Sequence, residues 1–327
     1  MGVIHGALGL TSEQVEGVLT TAGKAPSLHN SQPWRFRLGP DAIELHADPD
    51  RRLPVADPED RELRLGCGAA LFNLRLALYG HGIRPLVTIL PDRSRPDLLA
   101  VVRAGGHRPA TPEQRRLLAA VPLRRTNRHP YGDDPVTPQE RYALARAAQD
   151  ENCWLHMVDD GRQRSALQRI AAHAHDVQEA DPAFQEEFHR WTARSDDRSG
   201  VPATAGGPLP EPQDRWVRRD FTAGTGRTRV EGKDFEVDPL LAVLFAHLTG
   251  PEGEVQAGQA MQRVLLTATA EGLATSFLSH VVEVPFAREE LRRLVGAARP
   301  PQVVLRIGHG WPVPATPRRD VADTVLP

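Results

Sequence analysis

Four short runs of this chain hold residue types that bind polar ligands. The first is Ala25-Pro26-Ser27-Leu28-His29-Asn30-Ser31-Gln32-Pro33-Trp34. Pro26 and Ser27 end a helical pattern in an extended turn, which leaves backbone amides and the Ser27 hydroxyl free to donate. Asn30 and Gln32 add amide donors and acceptors. The second run is Arg124-Arg125-Thr126-Asn127-Arg128. Arg124 and Arg128 can make charge-assisted bonds to phosphate oxygens, and Thr126 adds a hydroxyl. The third is Thr275-Ser276-Phe277-Leu278-Ser279-His280, and the fourth is the cation pair Arg318-Arg319. Alone, a run of arginines is usually a solvated surface, and a Ser-Asn-Pro cluster an ordinary turn. The elements around them decide which reading holds.

Those elements come in two sets. Thr11-Ser12-Glu13-Gln14 and Thr137-Pro138-Gln139-Glu140 each place Gln or Glu three residues after a Thr cap, the arrangement of a capping box. Pro138 at the first helical position strengthens the second. Each helix leads towards a short strand, over 34–38 and 154–158. A second pair of segments, 66–80 (GCGAALFNLRLALYG) and 258–272 (GQAMQRVLLTATAEG), opens and closes on glycine with almost no charge between. Helices apolar all round are buried ones, and the closing glycines suit left-handed C-terminal caps. Strand-like stretches follow at 84–90 and 98–102, then at 302–307. Two pairs in the same order predict an α+β fold duplicated within the chain, with halves at 1–120 and 121–327.

Helical patterns over 163–179 and 182–194 lead into residues 193–237, which show no periodicity and several Gly-Pro turns. A loop of that length in a compact domain is commonly a functional lid, and Trp191, Trp216 and Phe221 give it apolar anchors. Gly224-Thr225-Gly226 is too short for a dinucleotide fingerprint. Asp57, Glu59, Asp60 and Glu62, set among arginines, read as a solvated turn with local ion pairs. His173 and His175 are two apart on a helix and point to different faces, and no metal-binding motif is present, so no metal is expected.

The 327 residues carry a formal net charge of -2, with 40% hydrophobic and 25% charged residues. That is an ordinary globular composition, and it lacks the basic excess of a nucleic-acid binder. Cys67 and Cys153 match no zinc or redox spacing and are expected to be buried free thiols. No apolar stretch is long enough to cross a bilayer, and the start lacks the basic and apolar regions of a signal peptide. A cytoplasmic protein without membrane or nucleic-acid partners is expected.

The segment APSLHNSQPWRF resembles the flavin-contacting segment of the nitroreductase superfamily. RRTNR resembles the basic run at the start of such chains, which grips the FMN phosphate. Residues 273–285, LATSFLSHVVEVP, resemble the stretch whose backbone amides face the flavin near N5, and Arg318 and Arg319 stand where relatives supply a last phosphate cation. Together they are most similar to the Acg-like, FMN-binding branch of that superfamily, from about residue 11 to 325. The resemblance implies a fused pseudo-dimer with one complete FMN site between its halves. It assigns cofactor binding to Pro26, Ser27, Leu28, Asn30, Gln32, Arg124, Thr126, Arg128, Leu278, Ser279, Arg318 and Arg319. It assigns Ser279 and His280 to the reacting centre through their backbones, with His280 either narrowing the ring face or contributing a proton. The first half lacks a basic start, and the second shows Asp150-Glu151-Asn152-Cys153-Trp154 where the Ser-Asn-Gln segment would fall. These departures imply a single site.

The activity so implied is hydride transfer through flavin N5 from NAD(P)H to a small organic acceptor, with ping-pong kinetics. Nitroaromatics, quinones and activated C=C or C=N bonds are compatible acceptors. The alternative is a flavin-sequestering or stress-related protein whose lid stays closed. A third reading is a structural protein without flavin. An internal pseudo-dimer removes the usual reason for homodimerisation, so a monomer is expected.

Overall fold

The computed structural model describes residues 2–192, 198–211, 213–226 and 238–327. The first half runs α1 (Ser12–Ala22), β1 (Trp34–Leu38), β2 (Ala42–Ala47), α2 (Arg61–Gly80), β3 (Ile83–Ile89), β4 (Leu98–His107) and α3 (Pro112–Ala120). The second opens with α4 (Pro138–Gln149), β5 (Cys153–Met157), α5 (Gly161–Glu179), α6 (Pro182–Trp191) and β6 (Leu240–Ala246). It closes with α7 (Gly250–Ala270), β7 (Ala274–Phe277), α8 (His280–Glu283), α9 (Pro285–Leu294), β8 (Pro301–Gly308) and α10 (Val321–Thr324).

Both expected capping boxes form, at Thr11 and Thr137, and a third forms at Thr111. Every strand pairing is antiparallel, and the two sheets share one connectivity: β1-β2-β4-β3 and β5-β6-β8-β7. One irregularity also corresponds. The register shifts between Leu45 and His46 in one sheet and between Leu244 and Phe245 in the other. This is the duplicated α+β fold the repeated segments predicted. β6 and β8 are buried at every position; β6 accordingly reads as a continuous apolar run, whereas β8 also buries Gln302 and Arg306.

The first glycine-bounded segment lies within α2 and the second runs from α7 two residues past its end; the two helices pack along each other at the centre. Buried polar links tie them: Gln262 Nε2 donates to Asn73 Oδ1 at 2.8 Å, and Arg75 Nη1 to Gln259 Oε1 at 2.8 Å. Their backbones meet at Gly68 and Gly258. A Cβ on Gly68 would overlap the Val255 carbonyl oxygen, and one on Gly258 would overlap that of Leu65. Gly272 takes the expected left-handed conformation, with φ +79°. Gly80 does not: it is the last helical residue, and Gly82, φ +76°, makes the turn into β3. One hydrophobic core runs through both halves, from Val15 and Trp34 to Val264 and Leu305.

Two further segments extend the sheets, the second of them across the halves. Thr126 bridges Thr275 on the β7 edge, and Asn127 N–H donates to the Thr275 carbonyl at 2.8 Å. The chain terminus returns to the first sheet, where Val325 bridges Phe36 and Leu326 N–H donates to the Phe36 carbonyl at 2.8 Å. The sequence extended α6 to residue 194; it ends at Trp191. Of the expected lid, residues 193–197, 212 and 227–237 lie outside the described residues. Among the described residues, no helix is long and apolar enough to cross a membrane. Cys67 and Cys153 are free and buried, as expected.

Candidate functional site

A cleft of about 880 Å³, part of it open to solvent, lies where the halves meet. Pro26, Ser27, Leu28 and His29 form one wall together with Glu62, Leu65 and Gly66 of α2. Ser276 to His280 form the facing wall with Thr126, Arg128, Met261 and Arg306. Trp216 to Arg219 and Phe221, from within the long loop, close it further. Three of the four chemistry-bearing runs therefore converge on one cavity.

The N-terminal run folds into a strained turn. His29, Asn30 and Gln32 all have positive φ, at 49°, 56° and 53°, a conformation uncommon for non-glycine residues. Ser27 Oγ holds the turn by accepting the Gln32 N–H at 2.8 Å. The side chains of Asn30 and Gln32 do not reach the cleft wall. Asn30 Nδ2 donates to the carbonyls of Gly200 and Pro317, and its Oδ1 accepts from Arg318 at 3.0 Å. Gln32 Nε2 donates to the Arg198 carbonyl at 2.8 Å, and its Oε1 accepts the Arg319 N–H at 2.9 Å. These amides fasten the turn to the long loop and the C-terminal tail.

In the second run, Thr126 and Arg128 line the cleft, as alternate residues of an extended segment should. Arg128 lies 4.1 Å from the centroid of the Phe221 ring and donates to the Ala205 carbonyl at 2.9 Å. Burial, with Arg219 nearby, pulls its guanidinium down to about 10. Arg124 lies deeper, only 4% exposed. Its Nε and Nη1 are buried without a hydrogen-bond partner, and so is Nε of Arg318. Burial, then Arg318 and Arg125, push Arg124 down to about 9; burial and Arg125 push Arg318 to about 10. The two remaining arginines of the motifs differ. Arg125 turns back onto the carbonyls of Pro122 and Arg124, and Arg319 is paired with buried Asp48 at 3.1 Å.

On the facing wall, the N–H groups of Ser279 and His280 make no backbone hydrogen bond among the described residues. His280 is buried with Nε2 unpartnered. Burial, then Arg219, His175 and Arg218, hold it well below an ordinary histidine. His29 is likewise kept neutral by burial, Arg219 and Arg128, and its ring meets Phe188 edge-on at 5.2 Å. Arg219 in the loop pairs with Glu283 of α8 and fixes the loop over the cleft.

The acidic stretch before α2 corrects the solvated-turn expectation. Asp60 does make a local pair, with Arg52 at 3.1 Å, but Glu59 pairs with distant Arg288 of α9 at 3.4 Å. Asp57, however, is buried and accepts the Leu63 N–H at 2.8 Å, capping the helix start. Arg61 is buried against the second half, donating to the carbonyls of Val282 and Pro301. Glu62 enters the cleft. Its spacing to Leu65 and Gly66, three and four residues on, is the helical signal that could have placed it there.

An antiparallel two-sheet α+β protein with a cation-rich cleft between its halves is thus defined by fold and site. No protein-family model matches the chain. Two Mycobacterium tuberculosis proteins bearing the name "Putative NAD(P)H nitroreductase" do. Rv3131 is 36% identical over 326 residues, covering 96% of this chain and 91% of its own. The protein acg is 29% identical over 320 residues, covering 96% of each. A nitroreductase with bound FMN from Bacteroides fragilis shares 12% identity at TM-score 0.37, over 62% of this chain and 92% of its own. An iodotyrosine deiodinase bound to FMN and 3-iodo-L-tyrosine shares 14% at TM-score 0.40, over 62% and 95%. The chain belongs to the NAD(P)H nitroreductase family represented by Rv3131.

Proposed function

We propose that this protein is an FMN-dependent NAD(P)H oxidoreductase with one flavin site in the cleft between halves that divide near residues 120 and 121. The observation that carries the reading is the acid-free arginine pair at Arg124 and Arg318, with three buried guanidinium nitrogens lacking partners. An unpaired buried cation is costly, and phosphate, like carboxylate, is an anion whose oxygens match a guanidinium fork. The residues fit FMN. Arg124 and the Nε of Arg318, whose Nη1 and Nη2 already donate to Asn30 and to carbonyls, would hold the phosphate beside the cleft residues Thr126 and Arg128. Pro26 to Leu28 and Gly66 offer one close-packed wall for a flat ring; a Cβ on Gly66 would sit 3.2 Å from Ser27 Cβ. Leu278, Ser279 and His280 offer the other, with the free N–H groups of Ser279 and His280 available to a ring nitrogen.

Bound there, a flavin supplies a centre at N5 that takes hydride from NAD(P)H and gives it to an acceptor. The chain's part is to bind, orient and electrostatically tune it. The Ser279 and His280 backbone donors would act where electron density changes, and Arg128 and Arg306 set a positive field in the cleft. Trp216 to Arg219 and Phe221 restrict access, which favours small flat acceptors over a broad range. The same loop is the observation that favours the alternative, a flavin-sequestering role. Anaerobic stopped-flow mixing of holoprotein with NADPH separates them. Rapid bleaching of the oxidised flavin band is expected; a band that persists yet yields to dithionite would establish sequestration instead.

A further inference from the structure

Glu62 is the one carboxylate side chain on the cleft wall among the described residues. It projects from the first turn of α2 beside Leu65 and Gly66, and its Oε1 is buried without a hydrogen-bond partner. The groups around it come from four elements: Asp57 before the helix, Arg61 on it, Glu283 of α8 and Arg219 of the loop. Both basic neighbours are otherwise engaged, Arg61 with carbonyls of the second half and Arg219 with Glu283. Burial, then the charges of Asp57 and Glu283, raise Glu62 to about 8, so it keeps its proton at neutral pH. The two histidines of the wall, His29 and His280, are pushed the opposite way and have no extra proton to give. A site whose acid and bases are displaced in opposite senses has its proton-transfer roles assigned by environment.

We propose that Glu62 is the proton donor for the acceptor's reduction. The inference rests on the oxidoreductase reading above. With a quinone, a single hydride, which carries both electrons, originates in NAD(P)H, leaving NAD(P)⁺, and arrives by way of the flavin. The Glu62 O–H bond breaks, its electron pair stays on the carboxylate, and the proton forms an O–H bond on the quinone oxygen, giving the hydroquinone. Solvent then reprotonates Glu62.

The test has two readouts on the holoprotein. The first is side-chain carboxyl ¹³C NMR between pH 5 and 10, with the Glu62 resonance assigned by its loss in Glu62→Gln. The expected midpoint is about 8; one in the ordinary glutamate range overturns the proposal. The second is reoxidation of dithionite-reduced holoprotein by benzoquinone in stopped flow. The wild-type rate should fall about tenfold per pH unit above the midpoint, and Glu62→Gln should be slower by about 100-fold, without that limb. Glu62→Asp should restore the limb. Wild-type rate and pH dependence in Glu62→Gln overturns the proposal. Reduction by dithionite keeps the outcomes separate: a holoprotein that NADPH fails to bleach refutes the oxidoreductase reading, while the carboxyl titration and reoxidation still judge Glu62.

Discussion

Arg124 is a buried cation with two nitrogens unpartnered and no acid beside it. In flavin-free protein it should destabilise, and with phosphate present it should anchor. Arg124→Ala is therefore expected to weaken FMN binding by about 2–3 kcal/mol, or 30- to 150-fold in Kd, measured by quenching of flavin fluorescence. The same substitution should leave the flavin-free protein's Tm unchanged or higher. Glu62 gives a second residue-scale expectation. Its folded value, about 8, lies above the ordinary glutamate value of 4.5, so the native state holds the extra proton and stability falls as pH rises across that window. Discounted for its position on an open cleft, Glu62→Gln should recover about 1–2 kcal/mol at pH 9 and little at pH 5, by urea unfolding of the flavin-free protein. Residue types exposed part of this site: RRTNR and the Ser276–His280 run both reach the cleft because consecutive residues brought the chemistry with them. Asn30 and Gln32 were legible as polar but not in their role, since their partners Arg318 and Arg319 lie 287 or more residues away. Glu62 was hidden for the same reason, since Glu283 of α8 and Arg219 of the loop, whose charges act on it, are distant in sequence.

At the scale of elements, the crossing of α2 and α7 controls the cleft, because α2 brings Glu62, Leu65 and Gly66 to its wall and α7 brings Met261. Gly68 and Gly258 let the two backbones touch. Here a methyl group must separate helices rather than move a side chain, so Gly68→Ala and Gly258→Ala should each cost about 2–3 kcal/mol. Since either change already parts the helices, the double variant should cost less than the sum. Urea midpoints of the four proteins check both points, and FMN affinity should fall in parallel. An additive double variant would show that the contacts are independent. The elements themselves were largely readable from sequence. Capping boxes state helix starts through local chemistry, and 15-residue apolar segments between glycines state burial. Gly80 was misread because a closing glycine and a left-handed one look alike until the following turn is known; Gly82 is the residue with positive φ.

At the scale of the whole molecule, the duplication is visible in matching sheets, yet the halves are not separate folding units. Trp34, Leu74, Val264 and Leu305 share one core. Arg61 is buried against the second half, and the terminus at Val325 and Leu326 completes the first sheet at β1. Arg319 reaches back to buried Asp48. Cutting the chain near residue 120 would expose the apolar face between α2 and α7 and leave Asp48 without the guanidinium of Arg319. Residues 1–120 or 121–327 expressed alone should therefore lack a cooperative unfolding transition, whereas the full chain should melt in one, with calorimetric and van't Hoff enthalpies equal. The matching consequence is that FMN should raise the Tm of the full chain in a single step, by an amount that grows with the logarithm of its concentration. Two transitions, only one of them shifted by FMN, would show instead that the halves fold apart and that one half alone holds the flavin.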